Sequence, residues 1–243
     1  VNRSEPVADA ALLRQAEDFA AEITEVLQAV AQAPCPPLIA TAAPNGRFTV
    51  RQDPEAGALR LTVSGVPLVS LRLDYRCWWD RAQQYLAVER STVKVVAGRD
   101  DSKEPLFRYE FVRGMANHVP GAHVHVHAHR DDLTWLMTRA DRDGDGQLRR
   151  LRDWHFALGG ARFRPCLEDV LEMLINEIGV DVVTSDARER LARGRLRWRD
   201  RQLRAAVRDH PTAAADVLTA MNYRVTPPAD GHPPRDEVRL RRL

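Results

Sequence analysis

The chain has 243 residues, 44% of them hydrophobic, enough for one large domain or for a core domain with a helical extension. No run approaches the roughly 18 uninterrupted apolar residues of a membrane helix, which argues against a membrane-spanning class. The net charge of +2 argues against a role dominated by polyanions, and Cys35, Cys77 and Cys166, far apart and without CxxC spacing, argue against a disulfide scaffold or a zinc ribbon.

Residues 8–32 predict an amphipathic helix. Leu12, Ala16, Phe19, Ile23, Leu27 and Val30 recur at helical spacing, opposite Glu17, Asp18, Glu22 and Glu25. Pro34-Cys35-Pro36-Pro37 ends it, because proline cannot continue the hydrogen-bond ladder. A β-rich middle follows. Phe48–Gln52 and Leu59–Val63 read as hairpin partners across Asp53–Gly57, and Val66–Tyr75, Tyr85–Ala97 and Leu106–Val112 as further strands. In the last of these, Phe107, Tyr109 and Phe111 share one face and Arg108 and Glu110 the other. His123–His129 is the next strand.

The second half reads as helical: a short helix at Asp131–Arg139, then Pro165–Ile178 with Leu167, Val170, Leu171, Leu174 and Ile178 as its buried stripe. Two more helices follow at 187–208 and 213–221. The expected fold is α+β: an N-terminal helix, an antiparallel sheet of about five or six strands, and a helical C-terminal third. The expected division is a core domain over 1–180, a helical extension over 181–226 and a flexible tail over 227–243. The opening VNRSEPVADA lacks a charged-then-apolar signal pattern, and the cysteine usage fits a reducing cytoplasm.

The chemistry concentrates in the histidine strand. Alternation places His123, His125, His127 and His129 on one face and Val124, Val126 and Ala128 on the other. Two histidines at i and i+2 can reach one ion, with a third ligand from a neighbouring strand or from His155. The metal set is then His123, His125, His127 and His155, and zinc, nickel, copper or iron suits it. Three readings stay open: a metal centre, metal-free acid–base catalysis, and a polar face that is only solvated or hydrogen-bonded within the fold.

Two motif resemblances attach to this strand. His123-Val-His125-Val-His127-Ala resembles the histidine-triad motif of nucleotide hydrolases and transferases, which implies that His125 attacks a phosphate. Leu106-Phe107-Arg108-Tyr109-Glu110, followed by Asn117-His118-Val-Pro and the histidines, resembles small ribonuclease-like toxins of bacterial toxin–antitoxin pairs. That second resemblance implies phosphodiester cleavage, with His123, His127 or His129 as acid and base and Arg108 and Arg130 as cations. The stretch Trp154–Asp169 resembles a group of uncharacterised bacterial proteins, which implies no activity.

Three further features are ambiguous. Gly159-Gly160-Ala-Arg162-Phe-Arg164-Pro165 suits an anion site, joined by Arg130, or a tight turn whose arginines pair with Glu168 or Asp169. Asp141-Arg-Asp143-Gly-Asp145-Gly146-Gln-Leu148 resembles the opening of an EF-hand loop, but Arg152 stands where the closing glutamate belongs. Residues 188–208 carry nine arginines against Glu189 and Asp200, which suits nucleic acid, an acidic protein partner or a solvated surface. No P-loop, GxGxxG or GxSxG motif is present. The sequence thus favours a phosphoester-directed hydrolase, ribonuclease-like, acting on RNA or nucleotides, with a divalent transition metal as possible cofactor. The competing reading is a non-enzymatic accessory protein whose histidines bind metal or are purely structural.

Overall fold

A computed structural model of the chain describes residues 9–31, 35–98, 104–114, 120–129, 131, 151–153, 156–158 and 160–241. The expected helix beyond Asp131, the EF-hand-like loop opened by Asp141, and Arg130 and His155 fall outside these residues.

Helix α1 (Ala10–Leu27) buries Leu12, Ala16, Ile23 and Leu27 of the apolar stripe read from the sequence, and Ala20 beside them; Phe19 of that stripe is half-buried, and Val30 is buried just past the helix end. Asp9 caps it: Oδ1 accepts from the amides of Ala11 and Leu12 at 3.0 and 3.3 Å, and Oδ2 accepts from Trp79 Nε1 at 3.0 Å. Thr24 ties the helix to the sheet, donating to the Ala20 carbonyl and accepting from the Leu38 amide.

The sheet is antiparallel, with 8 strands: β1 (Leu38–Ala43), β2 (Arg47–Gln52), β3 (Leu59–Val63), β4 (Val66–Trp79), β5 (Leu86–Ala97), β6 (Phe107–Val112), β7 (Ala122–Val126) and β8 (Phe156–Ala157). Their order is β1-β2-β4-β5-β6-β7-β8. The expected β2–β3 hairpin does not form. Instead β2 pairs with β1 and with the second half of β4, while β3 pairs with the first half of β4. Two tight turns decide this. Asn45 and Gly46 both take positive φ (62° and 70°), as do Ser64 and Gly65 (50° and 78°), the left-handed geometry that reverses the chain within two or three residues. Gln52 seals the β2–β4 seam from inside the core, donating to the Leu71 carbonyl and accepting from the Leu73 amide.

Strand alternation gives the sheet two unlike faces. Phe48, Val50, Leu71, Leu73, Tyr75, Val93, Val95 and Phe111 point inward. They meet α1 and, among the C-terminal helices α2 (Gly160–Phe163), α3 (Leu167–Met173), α4 (Ala187–Asp209) and α5 (Pro211–Ala220), they pack on α3 and α4. A short α6 (Glu237–Leu240) follows within the stretch expected to be a flexible tail, and the Asp236 amide just before it donates to the Asp209 carbonyl. Leu191 of α4 belongs to the same buried cluster as Leu12 and Leu171. The helix expected over Pro165–Ile178 is α3 followed by a wider π turn at Leu174–Ile178. The wider winding turns Ile175 inward (8% exposed) and leaves Ile178, expected in the stripe, 38% exposed. Gly179 ends the element at φ 80°.

Candidate metal centre

The outward face of β6 and β7 holds the candidate site. Their register sets Glu110 opposite His123 and Arg108 opposite His125. Alternation keeps all four on one side, while Phe107, Tyr109 and Phe111 turn the other way. Both imidazoles are buried, at 2% and 4% exposure, and converge on one carboxylate: His123 Nε2 lies 3.3 Å and His125 Nε2 3.2 Å from Glu110 Oε2. The two rings meet edge to face at 4.9 Å between centroids.

The opposite ring nitrogens fix the tautomers. His123 Nδ1 is 2.7 Å from the Pro120 carbonyl, and His125 Nδ1 is 2.7 Å from the Arg152 carbonyl. A carbonyl oxygen only accepts, so each Nδ1 carries a proton. In a neutral ring Nε2 then presents a lone pair, and both lone pairs face the lone pairs of Glu110. Two arrangements relieve this clash. Each ring can take a second proton, which puts two positive rings about 5 Å apart at a repulsion of about 3 kcal/mol for an effective dielectric constant of 20. Otherwise one cation can be shared by all three donors. The three ligand atoms lie within 4.8 Å of one another. Ligands held about 2.0–2.2 Å from a tetrahedral ion stand roughly 3.3–3.5 Å apart, close to the two histidine–Glu110 separations of 3.3 and 3.2 Å. A histidine held through Nδ1–H by a backbone carbonyl and offering Nε2 is the usual arrangement of a metal ligand.

The carboxylate is already in the ligating form. Burial pushes the Glu110 pKa up, but in the arrangement with both rings doubly protonated, hydrogen bonds donated by His123 and His125, with the charge of Arg108, hold it well below the usual carboxylate range. Arg108 Nε stands 3.5 Å from Glu110 Oε1. An outer ring of contacts steadies the segments that orient the histidines. Arg152, whose carbonyl holds His125, binds Glu104 through its guanidinium at 2.7 Å, and Glu104 also takes His127 Nδ1 at 3.1 Å.

The four-histidine face read from the sequence is thus reduced to two. Strand β7 ends at Val126, so alternation no longer governs His127 and His129. His127 leaves the expected metal set for Glu104, and His129 sits in the open beside Asp131 at 2.6 Å, outside the expected catalytic group. The candidate anion site is not assembled around Arg162 and Arg164. Arg162 pairs with Asp209 at 2.7 Å, where Glu168 or Asp169 was expected. Arg164 stacks on Phe111 at 3.9 Å and near Trp198, behind the sheet from the histidines. Burial, then the charge of Arg162, lowers the Arg164 pKa to about 10, which leaves it charged at neutral pH.

Sequence reasoning missed Glu110 as a site residue, although its place on the polar face of β6 with Arg108 was visible. Alternation reports a residue's face; only the β6–β7 pairing makes it a neighbour of His123. No protein family, curated protein or solved structure matches the chain.

Proposed function

We propose that the chain is a metal-dependent phosphoester hydrolase, with a divalent transition ion, zinc in first place, held by Glu110, His123 and His125. One observation carries the reading: two buried imidazoles, each fixed as the Nδ1–H tautomer by a backbone carbonyl, aim their bare nitrogens at one carboxylate oxygen. Three protein ligands favour catalysis over a structural ion, because structural zinc sites use four and catalytic sites keep one position for water or substrate. The ion would supply a Lewis acid that activates water at neutral pH and polarises a phosphoryl oxygen. Arg108, against Glu110, supplies a fixed positive charge for the phosphoryl group, which supports the phosphoester class. Three free thiols fit work in the cytoplasm.

Calorimetric titration of zinc into EDTA-treated protein should show one equivalent bound, and His123→Ala and His125→Ala should each weaken binding at least tenfold. Zinc or manganese should switch on cleavage of bis-p-nitrophenyl phosphate, and Glu110→Gln should lose it. Failure to bind one equivalent removes the centre. One bound equivalent without metal-dependent cleavage of a phosphodiester removes the hydrolase and leaves a non-catalytic metal protein.

A further inference from the structure

The outward face of the sheet continues from the metal centre across β5, β4 and β2, and its charge is concentrated there. The register sets Arg72, Lys94 and Arg108 side by side in one row that ends at His125. A second row sets Arg76 directly across from Arg90, and Arg51 stands on β2 across from Asp74. Among the described residues, six cations share this face with Asp74 and Glu110; Arg108 stands against Glu110, and Arg72 and Lys94 have further partners of their own. Like charges directly opposite each other destabilise a sheet, so the facing pair Arg76 and Arg90 costs the free protein stability. Arg51, Arg76 and Arg90 are exposed and form no ion pair among the described residues. Between the rows lies an open groove of about 380 Å³, walled by these side chains other than Arg108 and Glu110, together with Thr49 and Thr92.

We propose that this groove binds the phosphate backbone of a single-stranded nucleic acid and leads it toward Glu110, His123 and His125. The inference names the substrate class of the function proposed above and rests on that reading for turnover, not for binding. A flexible strand can set its phosphates on cations spread over neighbouring strands about 4.8 Å apart, and a positively charged groove that follows the backbone is how such strands are held. Among the described residues the groove is walled by arginine, lysine, threonine and aspartate, with no aromatic ring, so phosphate contacts carry the affinity and base identity does not. The arginines of α4 are a poorer candidate, because most of them are engaged within the chain. Arg195 binds Asp169 and Glu172, Arg197 and Arg201 bind Glu22, and Arg188 binds Glu172.

The test is fluorescence anisotropy with a labelled 20-nucleotide oligouridine and the full chain in EDTA, so that neither an ion nor cleavage contributes. Affinity should fall as salt rises, with a log–log slope of about −0.7 for each phosphate neutralised. The Arg76→Gln/Arg90→Gln pair should weaken binding at least tenfold, while Arg204→Gln on α4 leaves it unchanged. Binding that is absent at low salt, that ignores the paired substitution, or that is displaced equally well by polyglutamate overturns the proposal. Because the metal is absent throughout, a failure here leaves the metal centre standing, and a failed zinc titration leaves the groove standing.

Discussion

Asp169 shows how much one side chain can hold. Its Oδ2 accepts from the amide and thiol of Cys166 at 3.1 and 3.2 Å, and its Oδ1 accepts from Arg195 Nε at 2.7 Å. Burial raises its pKa, but these hydrogen bonds and the arginine outweigh it and hold the carboxyl below its ordinary value. A carboxyl whose pKa is depressed on folding stabilises the protein above its unfolded value, and that contribution is lost as pH falls through the folded value. Asp169→Asn should therefore lower stability in urea by about 1–2 kcal/mol at pH 7, and wild type and variant should converge as pH falls through the depressed folded value. Equal stability at pH 7 would show that the contacts of Arg195 do not depend on this charge. At the same scale, strand periodicity alone put His123 and His125 on one face of their strand and Arg108 and Glu110 on one face of theirs. It could not show that His127 lies past the strand end, since Ala128 and Arg130 carry no turn signal, nor that Arg164 spends its charge on the rings of Phe111 and Trp198.

Among the elements, α3 and α4 lie close because of a missing side chain. Gly194, in the middle of α4, faces the buried Glu168 of α3, and a Cβ there would stand 2.2 Å from a carboxylate oxygen. Alanine gains about 1 kcal/mol of helix propensity over glycine, but overpacking against a buried charged group costs about 1–3 kcal/mol. Gly194→Ala should be neutral to destabilising by about 2 kcal/mol in chemical denaturation; a clear gain in stability would mean that Glu168 moves aside freely. The helices were readable from 3.6-residue periodicity and the long strands from their β-branched runs. The hairpins were misread because Asp53–Gly57 looked like the stronger turn, whereas Asn45-Gly46 and Ser64-Gly65 reverse the chain. Strand β1, behind the proline run, and the two-residue β8 offered too little pattern to find.

For the molecule as a whole, net charge proved a poor guide. A value of +2 hides a sheet face rich in cations and an arginine-rich helix that pairs inward. The division at residue 180 read from composition meets a core that crosses it, since Leu191 and Leu12 share one cluster. Leu12→Ala and Leu191→Ala should each cost about 2–5 kcal/mol. Each should also shift a single transition in which helical and aromatic circular dichroism are lost together. Two separated transitions would mean that α4 unfolds on its own.

That closure has a consequence for the order in which the chain can fold. Glu22, near the start, is held by Arg197 across 175 residues of sequence, and the β3–β4 turn is held at the Gly65 amide by Asp181 across 116. Contacts of such separation repay their loop-closure entropy late, so topology of this kind folds slowly. During synthesis, α1 and the whole sheet emerge before the helix that covers them. The nascent chain therefore carries uncovered apolar surface until about residue 201 has left the ribosome, and it is in that interval that it is most exposed to aggregation or to capture by a chaperone.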